Sequence, residues 1–325
     1  MFQSFPKKTV SLRDRLEHSQ VIIYFVAIIT GAITALLIPD TSILEVAINP
    51  TLALMLYVTF LQVPVVELAK AFTRVRFLTP LLLTNFLIIP IIVAVLIRFL
   101  PENPLLLLGV LLVLLTPCID YVVTFSQLGR SDSRLLLAST PALLIVQVLI
   151  LPVYLHFFLG EQASGLVHFG PFIHAFIWLI TVPLFLAALT QFWSHRSHTG
   201  GIVFDGLGVL PVPATALVLF TVVAAMVPKL GVAKTAALHA VPLYAAFAIL
   251  APLAGWYVSR IFGLETTAGR AVAFSAGTRN SLVILPLALA VPGAIPILPA
   301  VIVTQIIVEL VSQLVYIRLI PKLGK

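Results

Sequence analysis

Four ionisable side chains stand inside stretches that are otherwise apolar: Glu67, Asp120, Arg279 and Glu309. A thiol, Cys118, lies two residues before Asp120. A carboxylate held away from water can take up and release a proton, and a guanidinium can hold an anion. A thiol that meets an aqueous cavity is a soft ligand for thiophilic species, whereas a buried one is only a small hydrophobe. Glu67 precedes Lys70 by three residues and can snorkel to an interface. The other three charges lie deep. Asp120 precedes Asp132 by twelve residues, about 18 Å of helix. Arg279 follows Arg270 by nine and Glu309 precedes Arg318 by nine, about 14 Å each.

Two of these charges sit where their helices are interrupted. Asp120 ends the run Thr116-Pro117-Cys118-Ile119-Asp120, and proline removes a backbone donor and clashes with the turn before it. Arg279 lies in Ser275-Ala276-Gly277-Thr278-Arg279-Asn280-Ser281. Opposite charges at one depth predict that Asp120 and Arg279 pair where the segments cross. The pair is either a strut or a bond that opens, or is protonated, during a working cycle. Thr124, Ser126, Thr278, Asn280 and Ser281 supply neutral polar groups nearby.

Other chemistries lack their residues. A single cysteine excludes an intrachain disulfide. His156, His174 and His239 lie near segment ends and make no metal motif with it. Phosphate-loop, Ser-His-Asp and paired-aspartate signatures are absent. The expectation is therefore no enzyme, no cofactor and no resident metal. ATP-driven pumping would need another subunit.

The elements that position these residues follow from composition. Of 325 residues, 61% are hydrophobic and 10% charged, against roughly 25% charged in a soluble domain. Most of the surface must then face lipid, and lipid tolerates only helices or closed barrels. The apolar runs are about 20 residues long without alternation, which selects helices. Ten spans are expected, near 20–38, 50–70, 77–99, 104–128, 133–158, 171–193, 209–227, 238–261, 268–290 and 296–319. The run from Val21 to Ile38 is long enough to span and has no small-residue cleavage site, so it is read as a span and not a signal peptide.

The net charge of +7 would suggest nucleic acid in a soluble protein. Here the positive-inside rule accounts for it. Fifteen of the nineteen Lys and Arg fall on the side of both termini, and Arg98, Lys229 and Lys234 fall on the other. That side is expected to be cytoplasmic, in a plasma (inner) membrane, with no nucleic-acid partner. Five spans per half make the halves inverted repeats, about 20–160 and 168–320, inside one membrane domain covering 1–325. The broken spans are then the fourth of each half, and paired broken spans point to a transport site.

At these breaks the sequence resembles the superfamily of bile acid:sodium symporters and Acr-type arsenite-efflux permeases. The stretch from Asn49-Pro50-Thr51 through Gln62-Val63-Pro64 is similar to the family's second helix, and Asn85 with Pro90 fits its third. The resemblance implies an all-α fold of ten helices whose discontinuous fourth and ninth helices cross. Arsenite permeases carry a cysteine in the fourth span and an acidic residue fourteen positions on, as do Pro117-Cys118 and Asp132 here. Sodium ligands of the symporters correspond to Val122, Val123 and Ser275, which implies that the sodium sites are lost. In the ninth span Gly277, Asn280 and Ser281 keep the symporter pattern, but Arg279 replaces a glutamine. Glu309 resembles a glutamate of the permeases' tenth helix, whereas their ninth-span glutamate is absent near Ser281.

The sequence is thus read as a secondary transporter exporting arsenite, or a similar small trivalent metalloid, against protons. Cys118, Asp120, Arg279, Asn280 and Ser281 are expected to meet the substrate, and Asp120 and Glu309 the proton. The other readings are an organic-anion transporter with Arg279 on the substrate, a receptor that binds without transporting, and an intramembrane enzyme. The expected partners are a small-molecule substrate and the lipid bilayer. Oligomeric state is not legible.

Overall fold

The computed structural model describes residues 12–62, 75–119, 121–160, 177–289, 291, 293 and 295–324. Glu67 and Asp120 lie outside the described residues. Among the described residues the chain is helical and contains no strand. The helices are α1 (Leu12–Leu37), α2 (Glu45–Phe60), α3 (Val75–Leu83), α4 (Ile89–Leu96), α5 (Pro104–Leu114), α6 (Val122–Leu128) and α7 (Ser133–Leu159). They continue as α8 (Val182–Ser194), α9 (His198–Leu207), α10 (Pro211–Met226), α11 (Leu230–Ile261), α12 (Thr266–Gly277), α13 (Ser281–Leu289) and α14 (Ile297–Leu319).

Among the described residues six stretches are long and apolar enough to cross a membrane, and α5 and α8 are shorter apolar helices. The expected fourth and ninth spans are each two half-helices, α5 with α6 and α12 with α13. The seventh differs from expectation. Its helix α10 is preceded by α9, bent from it by 42°, where only a link was foreseen. Its ten residues include three glycines, which hid it from a search for long apolar runs. Gly200 lets α9 start close to the end of α8, since a Cβ there would sit 2.7 Å from the Trp193 carbonyl oxygen.

Two groups of helices emerge from the packing. α1, α2, α8 and α10 pack on one another; α5, α11, α12, α13 and α14 form the second group, with α4, α6 and α7 against it. Both breaks belong to the second group. At one end of it the buried Arg270 gathers the carbonyls of Pro321, Leu323 and Arg130, tying the end of the chain to the first break's helix pair.

Prolines inside these helices free carbonyls that lipid cannot satisfy, and each such group costs several kcal/mol in hydrocarbon. The chain answers with hydroxyls. Pro90 has no N–H for the carbonyl of Phe86, and the Tyr154 hydroxyl donates to it. Pro252 leaves the carbonyl of Ala248 free, and the Tyr316 hydroxyl donates to it. Thr140 serves Leu137 beside Pro141 in the same way, at 2.8 Å. The two tyrosine caps each bridge 68 residues. One constant shift along the chain carries Phe86, Pro90 and Tyr154 onto Ala248, Pro252 and Tyr316.

Tyr154→Phe should leave the Phe86 carbonyl buried without a donor and lower stability by about 1–3 kcal/mol. Thermal melts in detergent measure this. In a Pro90→Ala background the restored N–H can serve that carbonyl, so the same tyrosine change should cost much less.

Candidate functional site

The breaks at Pro117 and Arg279 meet in the interior. The Cys118 N–H donates to the Thr278 carbonyl at 3.1 Å, and the Asn280 N–H donates to the Thr116 carbonyl at 2.9 Å. The result is a single antiparallel bridge centred on Pro117 and Arg279. It supplies each extended segment with the partners its own helix cannot. The shift that relates the two tyrosine caps also carries Thr116, Pro117 and Cys118 onto Thr278, Arg279 and Asn280. The bridge therefore pairs residues that this same shift relates.

A helix that stops inside a protein leaves its last carbonyls without partners and carries partial negative charge there. Two helices stop here, α5 at Leu114 and α12 at Gly277. The Arg279 guanidinium serves both. Nη1 donates to the Leu114 carbonyl at 3.3 Å. Nη2 donates to the Ser275 and Ala276 carbonyls at 2.6 and 2.7 Å, and to Asn85 Oδ1 at 2.8 Å. Among the described residues its Nε has no hydrogen-bond partner, and the group lies 5.5 Å from the centre of the Phe247 ring. The whole side chain is 0% exposed. Arg279 is thus a built-in cation that closes two helix ends at once.

Asn85 reaches the guanidinium from a turn of π-helix, Thr84–Ile88, between α3 and α4. Such bulges re-aim side chains at functional positions. Its amide nitrogen donates to Ser275 Oγ at 3.0 Å, which fixes which end accepts from the arginine. Gly277 allows close approach of Tyr316: a Cβ there would sit 2.8 Å from the ring.

The negative charge sits on the other side of the bridge. Glu309 Oε2 accepts from the Arg279 backbone N–H at 2.8 Å and from Gln305 Nε2 at 2.5 Å. Its Oε1 accepts from the Tyr121 hydroxyl. This carboxylate faces the N-terminal end of α13, where helix dipoles favour an anion. Among the described residues the ion pair is Arg13 with Glu17, at 2.8 Å. The expected pairing of Asp120 with Arg279 lies outside the described residues.

Other expected site residues divide. Ser281 donates to Gln305 Oε1, and Thr278 Oγ1 accepts from Gln313 Nε2 at 2.7 Å. Asn280 is buried, and among the described residues its Nδ2 has no partner. Val122 is buried and Val123 half-buried, and neither offers a side-chain oxygen. Ser126 bonds Ser131 at the far end of α6, away from the crossing. Cys118 is 0% exposed. Its expected exposure to water is not met in this conformation, because the bridge turns it into the protein.

A cavity of about 210 Å³ lies between the helix groups. Gln20 and Tyr24 of α1, Thr59 of α2 and Thr215 of α10 face Tyr121 and Thr124 across it. The Arg13–Glu17 pair stands among its lining residues. Gln20 is buried, and among the described residues its amide nitrogen has no partner. Neutral hydroxyls and amides share the lining with apolar side chains such as Ile119, Val123 and Val212. Sequence reading missed Gln20, Tyr121, Gln305 and Gln313. Gln305 and Gln313 were findable, one four residues before Glu309 and one four after it, on one helix face.

A family model described as Sodium Bile acid symporter family matches residues 49–236, more than half of the 325-residue chain. The matched residues include Pro117 and Tyr121, while Arg279 and Glu309 lie beyond them. No curated protein matches the chain.

Arg279→Gln should strip the cation from both helix ends and lower stability by about 3–5 kcal/mol, the usual result of removing one charge from a buried ionic arrangement. Asn85→Leu removes one acceptor of the four bonds on the group and should lose only about 1–3 kcal/mol. Denaturation in detergent of the two variants beside the wild type checks the ranking.

Proposed function

This chain belongs to the sodium bile acid symporter family, a family of membrane transporters, and we propose that it works without sodium, as a proton-coupled exporter of arsenite or a similar small trivalent metalloid. The observation that carries this reading is Arg279. A fixed guanidinium caps the two half-helix ends at the crossing, and a dissociable cation is not needed to hold them. Val122 and Val123 offer no side-chain oxygen there, and the Ser275 hydroxyl is already engaged by Asn85.

Coupling then falls to groups that can change charge. Glu309 is the described carboxylate at the crossing, and Asp120 is the second coupling acid and the proposed partner of Arg279. The neutral, hydroxyl- and amide-rich cavity suits a small uncharged hydroxylated species such as As(OH)₃. Cys118 stands at the bridge next to Ile119, which lines that cavity. A conformational change that opens the crossing would bring the thiol to the substrate, with Asn280 and Ser281 adding polar contacts.

The architecture proposed for this cycle is ten spans in two inverted repeats, with both termini cytoplasmic in the inner membrane. The constant shift relating the tyrosine caps and the two sides of the bridge supports the repeat. No catalytic activity and no cofactor are proposed. The organic-anion reading has the family match in its favour. It loses Arg279 as the substrate's cation, because that side chain is buried against carbonyls.

Everted vesicles carrying the protein should accumulate arsenite when a proton gradient is imposed, equally in sodium and in choline buffers. A saturable requirement for sodium would sink the proposal and put the organic-anion symporter first. Cys118→Ser should reduce arsenite flux at least about tenfold, the scale of losing one specific contact of about 1.4 kcal/mol. Full activity in that variant would remove the thiol from the mechanism.

A further inference from the structure

Tyr121 belongs to two places. It lines the cavity between the helix groups. Its hydroxyl also reaches the buried crossing, where both Glu309 Oε1 and, at 3.1 Å, the Arg279 carbonyl stand as acceptors. Glu309 itself is 3% exposed and does not line that cavity.

A phenol has one hydrogen and can also accept. With Glu309 ionised, the Tyr121 hydrogen points at the carboxylate. With Glu309 protonated, the new carboxyl O–H donates to the Tyr121 oxygen, and the phenolic hydrogen turns to the Arg279 carbonyl. Both protonation states are fully hydrogen-bonded with the same heavy-atom positions. Passage between them adds one proton and reorients one O–H bond.

We infer that Tyr121 is the proton relay between the open cavity and Glu309, a role that rests on the proton-coupled reading above. The step balances. A hydronium ion in the cavity gives a proton to the Tyr121 oxygen as the phenolic proton passes to Glu309 Oε1. Two O–H bonds break and two form, water is left behind, and no tyrosinate remains. The new phenolic hydrogen settles on the Arg279 carbonyl, and release runs the steps backwards.

The neighbours of Glu309 leave this role to Tyr121. The Arg279 guanidinium is held by carbonyls and Asn85. Tyr316, on the same helix as Glu309, gives its hydroxyl to Ala248. Tyr244 of α11 shares with Glu309 a separate small cavity of about 10 Å³. Cys118 is fully buried, and Asp120 lies outside the described residues. The shift between the halves carries Tyr121 to Val283 and Gln147 to Glu309. The related pair, Gln147 with Val283, therefore has neither the acid nor the hydroxyl, and the relay has no counterpart under that shift.

Infrared difference spectroscopy of the purified full chain after a pH jump reads the step directly. The carboxylic C=O band that vanishes in Glu309→Gln is the Glu309 signal. In Tyr121→Phe that band should keep its amplitude but appear at least about tenfold more slowly. Tyr121→His, which again offers an exchangeable proton, should recover part of the rate. An unchanged rate in Tyr121→Phe overturns the relay, as does a wild type whose Glu309 never protonates. Should Tyr121→Phe fail to fold, a wild-type rate indifferent to deuterated water overturns it equally. The readout needs no substrate. A working relay without proton-driven arsenite flux removes the proposed function and keeps the relay; flux with an unchanged Tyr121→Phe rate does the reverse.

Discussion

A guanidinium that closes two helix ends inside a membrane protein is the constraint on which the rest of this structure depends. Helices α5 and α12 each stop in the interior, and their last carbonyls can be answered neither by lipid nor by a following turn. Arg279 answers both with one planar group. A lysine could not do the same, since a point ammonium lacks the fork that reaches several acceptors in fixed directions. The π-turn that presents Asn85, the glycine that admits Tyr316 and the carboxylate held on the Arg279 backbone all follow from placing that group.

Glu309 and Arg279 balance each other without touching through their charged side chains. Each is held mainly by neutral dipoles, the arginine by carbonyls and the glutamate by an amide, a phenol and a backbone N–H. Fixed dipoles let a buried charge be changed with less rearrangement than a direct ion pair, where neutralising one partner strands the other. The geometry separates two tasks. Arg279 keeps the crossing assembled, while Glu309 is held apart from that task, as the proposed proton coupling requires.

Much of this was legible in the residue order. Apolar runs of spanning length announced the helices, and Pro117 and Gly277 marked the interruptions, because both residues act on the backbone of their own segment. The partners of Arg279 were not legible. Three of them are backbone carbonyls, which every residue carries and no side-chain type advertises. Asn85 was noted only for its likeness to a pattern, since its contact depends on a π-turn that periodicity does not reveal. Tyr121 looked like the start of an ordinary half-helix. Its dual position appears only once the two helix groups are placed on either side of a cavity. Helix α9 was passed over because its glycines and short length imitate a link. Cys118 stands at the break its position announced, but its burial was not legible, because a strand-like bridge decides which way its side chain turns.

The bridge also sets a timetable for biogenesis. Leu114 and Arg279 are 165 residues apart, so at ordinary elongation speeds of about 5–20 residues per second the first half-helix waits roughly 8–33 s for its cap to be synthesised. During that interval a nascent chain holds an unfinished helix end in or beside the bilayer. Its carbonyls must be shielded by water in the insertion machinery or by a chaperone that recognises interrupted helices. A ribosome stalled before residue 279 would therefore release a product that no later event could rescue, and membrane quality control would meet it as a half-inserted protein with an open polar wound.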